Sequence, residues 1–411
     1  MTRSAHPDFQ PVLLGTGANA YGLARGFFDE FGVTSLAVGS FPLTPTRHSR
    51  LVEVRTVDDF TSDSGFLRAL EQVAAEQRAA HPDRPLLLIA TGDTSAALLA
   101  RHRDVLRQWY LTSTIDGDLL QRVVEKSSFY ELCAEYGIDH PITSVYTHEQ
   151  FEAGAPVEPP AAFPIALKAS DSVAYLDCQF EGRRKAYVLE SQAELDDVVE
   201  RIYTAGYPGA LILQDFIPGD DSNMRVLNAY VNSDGSVAMM SLGRPLMEEW
   251  APDRVGNYAA IVSGGEPEIY AQAAHLLTAL GYTGYVNLDV KRDPRDGSFK
   301  FFEINPRPGG SSYFTTVAGL NMARWIVLDL IEHRYAPTVL GERHRVWLGV
   351  PRSIVRRYAP AGALRDEALA LIRRGEVGTT VFCRHDPSPR RTLDMLRYWL
   401  SFHRTYRRWA K

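Results

Sequence analysis

Residues 284–312 read GYVNLDVKRDPRDGSFKFFEINPRPGGSS. Apolar and polar residues alternate from Gly284 to Lys291, and more loosely from Lys300 to Ile304, so two strands are expected. The Asp-Pro-Arg-Asp-Gly linker has hairpin chemistry: Pro294 presets one φ, and Gly297 can adopt a positive one. Three oxygen ligands then fall into register. Asp289 lies on the first strand. Glu303, fourteen residues on, and Asn305 lie two apart on the second and share a face. A hairpin brings Asp289 opposite them. Two carboxylates and a carboxamide form a hard-oxygen set suited to Mg2+, which keeps positions open for phosphate oxygens and water. Arg307 adds a permanent cation with forked donors for phosphate. Gly309 and Gly310 let a backbone approach a ligand closely.

Working outward, an α/β fold is expected: a doubly wound N-terminal domain, then a two-lobed α+β domain. The boundaries fall at 1–116, 117–335 (lobes about 117–215 and 216–335) and a basic extension, 336–411. The opening PVLLGTGANAYGLARGFFDEF is strand, glycine turn and helix. Gly15, Gly17 and Gly22 lack G-x-G-x-x-G spacing, so the turn offers a helix N-terminus to an anionic group rather than a dinucleotide site. A second strand, Ser35 to Val38, leads to a Pro-fixed loop bearing Arg47. A helix near 66–80 precedes the strand Leu86 to Ala90, which ends in Thr91-Gly92-Asp93. Ligands bind at the carboxyl ends of such strands, which makes Asn19, Arg47 and Asp93 candidate substrate contacts. For Arg47 a plain solvated loop stands beside that reading.

Residues 117–137 look helical and contain Lys126. PIALKA, 164–169, is a buried-looking strand in which Lys168 needs an anionic partner or a path to water. LILQDF, 211–216, is a strand with a polar edge, followed by a Pro218-Gly219 turn. Two more strands fall within 237–262, a helix at about 267–280, and an amphipathic helix over Gly319 to Glu332.

The 411 residues are 45% apolar and 23% charged, ordinary for a globular chain. No run of 18 apolar residues and no N-terminal h-region are present, and Cys133, Cys178 and Cys383 suggest neither a disulfide frame nor a metal knuckle. A reducing cytoplasm is expected, with no nucleic-acid partner. The net charge of −6 hides an asymmetry: residues 341–411 hold 16 Lys and Arg against 6 Asp and Glu. In RRTLDMLRYWLSFHRTYRRWAK, 390–411, Met395, Tyr398, Trp399, Phe402, Tyr406 and Trp409 share one helical face, with Arg397, Arg404, Arg407, Arg408 and Lys411 opposite. Three readings stand: the stripe packs on the protein, the cations gather an anionic substrate, or the helix lies on a membrane surface with aromatics at headgroup depth.

The fourteen-residue step to Glu, then x-Asn and x-Arg, resembles the metal-binding segment of the ATP-grasp ligases. Longer blocks are more specific. KSSFYELCAEYGIDHP (126–141), FPIALKASDSVAYLDCQFEGRRKAY (163–187), DFIPGDDSNMRVLNAYV (215–231) and 282–305 closely resemble the D-aspartate ligases of peptidoglycan cross-bridge synthesis. Coverage runs from about residue 10 to 335.

The resemblance implies a pre-ATP-grasp domain followed by the ATP-grasp fold, with ATP and Mg2+ as cofactors. Lys126, Lys168 and Arg225 would hold the triphosphate. Ser170 stands in the position of a glycine-rich flap, where Asp171 and Ser172 also replace glycines. Backbone groups of Gln214, Asp215, Phe216 and Ile217 would read adenine, with Asp220 or Asp221 near the ribose. Asp289, Glu303 and Asn305 would hold Mg2+, and Arg307 would stabilise the transferring phosphoryl group. The substrates implied are D-aspartate and the side-chain amine of the third residue in a UDP-N-acetylmuramoyl-pentapeptide. One departure stands out: Gly309, Gly310, Ser311 and Ser312 give the broad superfamily form of a loop that can touch the acid. Another acid or acceptor is therefore an alternative. So is a nucleotide-binding module without turnover, against which the retained Asp289, Glu303, Asn305 and Arg307 speak.

Overall fold

A computed structural model describes residues 7–251, 254 and 256–409. The chain divides into two compact units: Met1–Leu120, Asp221–Asp289 and Ile304–Lys411 form the first, Gln121–Asp220 and Val290–Glu303 the second.

The first unit opens with β1 (Gln10–Leu14), β2 (Ser35–Gly39), β3 (Val52–Thr56) and β4 (Leu86–Ala90), all parallel, in the order β3-β2-β1-β4. LLLIA of β4 is buried throughout, as befits a parallel strand covered on both faces. Alternate residues feed two cores. Leu13, Ala37 and Ile89 meet Tyr21, Leu23 and Phe27 of the helix Ala18–Phe31. Val12, Leu36 and Leu88 meet Phe66, Leu70 and Val73 of the helix Asp63–Ala80. The strand order reverses between β1 and β4, so the loops Gly15–Asn19 and Thr91–Asp93 emerge at a topological switch point.

The second unit carries β5 (Thr143–Tyr146), β6 (Ile165–Ala169), β7 (Tyr187–Leu189) and β8 (Leu211–Asp215), antiparallel, in the order β5-β8-β6-β7. The helix Gln192–Thr204 covers it through Leu195, Val198, Val199 and Ile202. The helix expected over 117–137 is two, Gly117–Val124 and Lys126–Glu135. They part at Glu125, whose backbone is extended and whose carboxylate accepts from the Ser127 and Ser128 hydroxyls. Where a flap was considered, a helix runs Ser172–Asp177, started by Asp171 Oδ1 accepting from Ala174 N at 3.1 Å. Asp in place of glycine favours a helix start.

The remaining strands are β9 (Met224–Val231), β10 (Val237–Glu248), β11 (Tyr258–Ser263), β12 (Gly284–Arg292), β13 (Phe299–Asn305), β14 (Val339–Gly341), β15 (Val346–Leu348) and β16 (Val377–Gly378). They run β13-β12-β9-β10-β11-β15-β16, with β14 on β10. The expected hairpin turn forms: Gly297 has φ 81, and its N–H donates to Asp293 O at 2.8 Å. The helix expected over 319–332 is Met322–Leu330, because Asn321 caps it by accepting from Ala323 N.

The C-terminal extension adds the helices Arg352–Tyr358, Ala363–Arg373 and Pro389–Arg408. The aromatic stripe of the last one faces inward at its middle, while Tyr398 and Trp399 are half-buried and Trp409 is exposed. Met395, Phe402 and Tyr406 are buried, and Phe402 and Tyr406 pack with Leu246, Val346, Ile354 and Leu371. Each such ring is worth roughly 2 kcal/mol buried, so Met395, Phe402 and Tyr406 serve the core. The buried rings therefore lend no support to the membrane-surface reading. Of the expected basic face, Arg397, Arg404, Arg407 and Arg408 are exposed, and Lys411 lies outside the described residues. Among the described residues no helix is long and apolar enough to cross a membrane.

Candidate functional site

In the first unit, loops from the ends of β1, β4 and β13 are bound into one cluster. Gly15, at φ +132, lets them meet: a Cβ there would lie 2.4 Å from Thr91 Oγ1. Asn19 is the junction. Its Nδ2 donates to Thr91 O at 3.0 Å and Pro308 O at 2.9 Å, and its Oδ1 accepts from Ser312 Oγ at 3.1 Å. Arg307 Nε donates to Asp93 Oδ1 at 2.6 Å, and its Nη2 to Asn305 Oδ1 at 3.3 Å. The Arg307 side chain is 15% exposed, whereas Asp93 is 73% exposed. The guanidinium is thus fixed inside, and its acid partner stands in water. Gly309 donates its N–H to Asn228 Oδ1 at 3.0 Å, and a Cβ there would meet Asn287 at 3.0 Å. Ser311 and Ser312 are buried and Gly310 is exposed.

Asn19 is thus bonded to Ser312 and Arg307 to Asp93 and Asn305, and the two sets meet at Pro308 O, to which Asn19 Nδ2 and Arg307 Nη1 both donate. Arg47 is not among them. It is exposed, and its guanidinium donates to Pro42 O at 3.2 Å.

Two further groups sit at strand ends of this unit. Asp289, on β12, accepts from Tyr258 OH at 3.2 Å, which fixes the carboxylate. Burial first, and the Asp289 charge next, push the Tyr258 phenol well up, so it stays a donor. Arg225 opens β9, buried and paired with Glu266, and donates to Ser222 O at 2.8 Å and Met224 O at 2.9 Å. Asp221 lies in the turn Asp221–Asn223 and accepts from Glu248 N at 3.3 Å.

The second unit has its own group. Lys168 on β6 lies 5.9 Å from the Tyr130 ring centroid. Its ammonium is pushed down to about 7, chiefly by burial, then by the like charge of Lys126, with Glu303 opposing. Two lysines and one carboxylate thus act on each other's charge, with a net positive balance. Ser170 ends the strand, its Oγ 3.4 Å from Tyr207 OH. Gln214 Nε2 donates to Thr143 Oγ1 at 2.9 Å. Asp215 is buried and takes two donors from Arg295, at 3.0 and 2.5 Å, while Arg295 also binds Asp293. The Asp215 side chain is therefore committed to the turn, and its backbone N–H donates to Ile142 O at 2.9 Å. Lys291 Nζ donates to Ile217 O at 2.7 Å and Gly219 O at 3.2 Å and lies 5.5 Å from the Phe216 ring. Asp220 is exposed.

Tyr258, Glu266, Lys291 and Arg295 escaped the sequence reading because nothing in their own stretches marks them. Asn228 and Asn287 carried a signal that went unused: each interrupts an apolar strand and is buried.

By residue type alone, two carboxylates and an amide are the oxygen donors that a hard divalent cation takes. Asp289 offers a carboxylate in the first unit and Glu303 one in the second, while Asn305 donates its Nδ2 to Asn287 Oδ1 at 3.4 Å and accepts at Oδ1 from Arg307 Nη2 at 3.3 Å.

Comparison with known proteins follows the same lines. Residues 255–346 match a family model described as "ATP-grasp in the biosynthetic pathway with Ter operon". The whole chain is 41% identical over 417 aligned positions to D-aspartate ligase of Enterococcus faecium (strain Aus0004), covering 98% of that protein. Among solved structures, an ADP complex of N5-carboxyaminoimidazole ribonucleotide synthetase superposes with a TM-score of 0.59 at 14% identity, over 84% of this chain and 82% of that one. An L-amino acid ligase from Bacillus licheniformis gives 0.55 at 13%, over 80% and 78%. The biotin carboxylase domain of Hydrogenobacter thermophilus 2-oxoglutarate carboxylase, bound to MgADP and bicarbonate, gives 0.59 at 15%, over 83% and 74%. At these identities the structures speak for the fold.

Proposed function

This chain belongs to the D-aspartate ligase family of the ATP-grasp ligases and is an ATP-dependent carboxylate–amine ligase; we propose that it activates the β-carboxyl of D-aspartate and joins it to the side-chain amine of the third residue in a UDP-N-acetylmuramoyl-pentapeptide. The observation that carries this choice of substrates is the relation to D-aspartate ligase along the full chain. On this reading the enzyme works in the cytoplasm, on a nucleotide-linked wall precursor.

A carboxylate repels nucleophiles. Transfer of the γ-phosphoryl group of ATP makes it an acyl phosphate. The amine attacks the acyl carbon, the C–O bond breaks, phosphate leaves and the amine loses a proton. Such a transfer depends on positioned cations more than on a covalent nucleophile. Lys126 and Lys168, with Ser170, hold triphosphate oxygens, and Arg225 adds a fixed guanidinium. Backbone groups from Gln214 to Ile217 read adenine, and Asp220 or Asp221 takes the ribose. Asp289, Glu303 and Asn305 would hold Mg2+, which neutralises phosphate charge when bound. Arg307, held by Asp93, stabilises the transferring phosphoryl group and the oxyanion of the tetrahedral intermediate. Asn19, Arg47, Asp93 and the Gly309, Gly310, Ser311 and Ser312 loop face the acid and the acceptor.

The test is ADP release with D-Asp, L-Asp, D-Ser and Gly against UDP-muramoyl-pentapeptide, followed by product mass. Turnover with D-Asp and a product heavier by one aspartyl residue is expected. Preference for another acid would reassign the substrate within the same chemistry. ATP binding without ADP formation for every pair would contradict catalysis.

A further inference from the structure

The extension beyond residue 336 contains two charges that its own helices do not explain. Asp386 and Arg391 are each 3% exposed. Charged groups are almost never buried so deeply unless paired. They pair with each other, Arg391 Nε lying 3.0 Å from Asp386 Oδ2. Apart from Val381 O, their other side-chain contacts leave the extension, most of them for the loop Pro42–Arg50. Asp386 Oδ2 accepts from Ser49 Oγ at 2.8 Å, and Oδ1 from Arg50 N at 2.8 Å. Arg391 Nη2 donates to Pro45 O at 3.3 Å and to Val381 O at 2.8 Å. Both residues also grip Tyr21, on the helix behind the Gly15 turn: its hydroxyl donates to Asp386 Oδ2 at 3.0 Å, and Arg391 lies 4.1 Å over its ring.

The loop so held is not a relaxed one. His48 sits at φ 59, a left-handed conformation that non-glycine residues seldom adopt. Strain of this kind persists where the surroundings over-determine the backbone. Here they do: Thr46 Oγ1 donates to Thr16 O at 2.7 Å, Ser49 and Arg50 are tied to Asp386, and His48 Nε2 is 3.9 Å from Asp394. The backbone is clamped from beneath, and the Arg47 and His48 side chains are exposed, Arg47 donating to Pro42 O and His48 lying near Asp394.

We propose that Asp386 and Arg391 are positioning residues for substrate recognition: from the C-terminal extension, their buried pair fixes the Pro42–Arg50 loop so that Arg47 and His48 present donors to an anionic substrate group. The group is a carboxylate of the amino acid or an anion of the nucleotide-linked acceptor. This rests on the ligase reading given above, in which Arg47 faces the substrates. A pair that merely fastened the extension to the N-terminal sheet would stabilise the chain without touching substrate affinity.

The experiment compares wild type with Asp386→Asn and Ser49→Ala. The second variant removes the bond to Asp386 and the one that Ser49 Oγ accepts from Leu51 N, and keeps the ion pair, so it decides the matter if the first does not fold. KM for ATP, for the amino acid and for the acceptor is measured with kcat, alongside the rate of trypsin cleavage after Arg47 and Arg50. We expect faster cleavage, and a KM raised about tenfold for one anionic substrate, the size of a lost charge-assisted bond. KM for ATP and kcat should stay within about twofold. The KM that moves identifies the source of the anion. Unchanged cleavage, unchanged KM values with only a lower melting temperature, or a uniform fall in all constants would each overturn the proposal. A wild-type enzyme that turns over none of the acids rejects instead the functional reading on which it rests.

Discussion

The two units carry different cations among the residues proposed to meet phosphate, and hold them differently. In the second unit, Lys126 and Lys168 crowd each other near Glu303, and Lys168 is pushed down to about 7 by burial and by its neighbour. In the first unit, Arg225 and Arg307 are ion-paired in advance, with Glu266 and Asp93. A lysine is a point charge that surroundings can switch off, whereas a guanidinium stays charged and must be aimed. The lysine group is thus tuned by its field, and ligand charge completes it. The arginine group is aimed by partner acids before any ligand arrives. Phosphate binding suits the first arrangement. Stabilisation of a developing charge suits the second, since preorganised donors need no reorganisation at the moment of reaction.

The largest effect that would sharpen this contrast is expected at the carboxylate and amide donors. Glu303→Gln and Asn305→Ala should abolish ligation while leaving a folded protein, because each removes one oxygen ligand from the proposed Mg2+ set. Mg2+-dependent ADP release near the wild-type rate in both would remove that set from the account.

Next is Arg307→Lys, which keeps the charge and loses the fork. A loss of about a hundredfold in kcat is expected, on the order of 3 kcal/mol. Asp93→Asn should cost less, about tenfold, the scale of one bond to a charged group. Combined, the two should cost less than their product, because they act through one contact. If ATP affinity collapsed while kcat held, Arg307 would belong with the lysines as a ground-state binder.

The smallest effect tests the lysine group. A neutral form prevails above pH 7 for a group pushed down to about 7, and phosphate beside it restores the charge. Nucleotide binding at pH 8 should therefore take up close to one proton, and at pH 6 almost none. Calorimetry in buffers of different ionisation enthalpy reads this directly. No uptake at pH 8, or equal uptake in Lys168→Met, would dissolve the contrast.

How much of this was legible depends on the range of the interaction. The β12–β13 hairpin was readable because alternation, the turn residues and the fourteen-residue step are all local. Lys168 stood out as a charge in an apolar strand. The pairing of Arg307 with Asp93, 214 residues away, has no local signature, and neither has Glu266 beside Arg225. Asp215 looked like an exposed strand end, yet Arg295 covers it from the hairpin turn. In the last helix the aromatic stripe was visible, but periodicity gives a face and not its partner. The partner is the core around Val346 and Ile354.

The central claim is that a carboxylate is activated by the γ-phosphoryl group of ATP. Wild-type enzyme supplied with ATP, the acceptor and D-aspartate labelled with 18O in both carboxyl groups tests it most directly, by mass analysis of the released phosphate. The account predicts phosphate carrying one 18O, transferred from the substrate carboxyl when the acyl phosphate breaks down. Unlabelled phosphate, with ADP and product still formed, would contradict it.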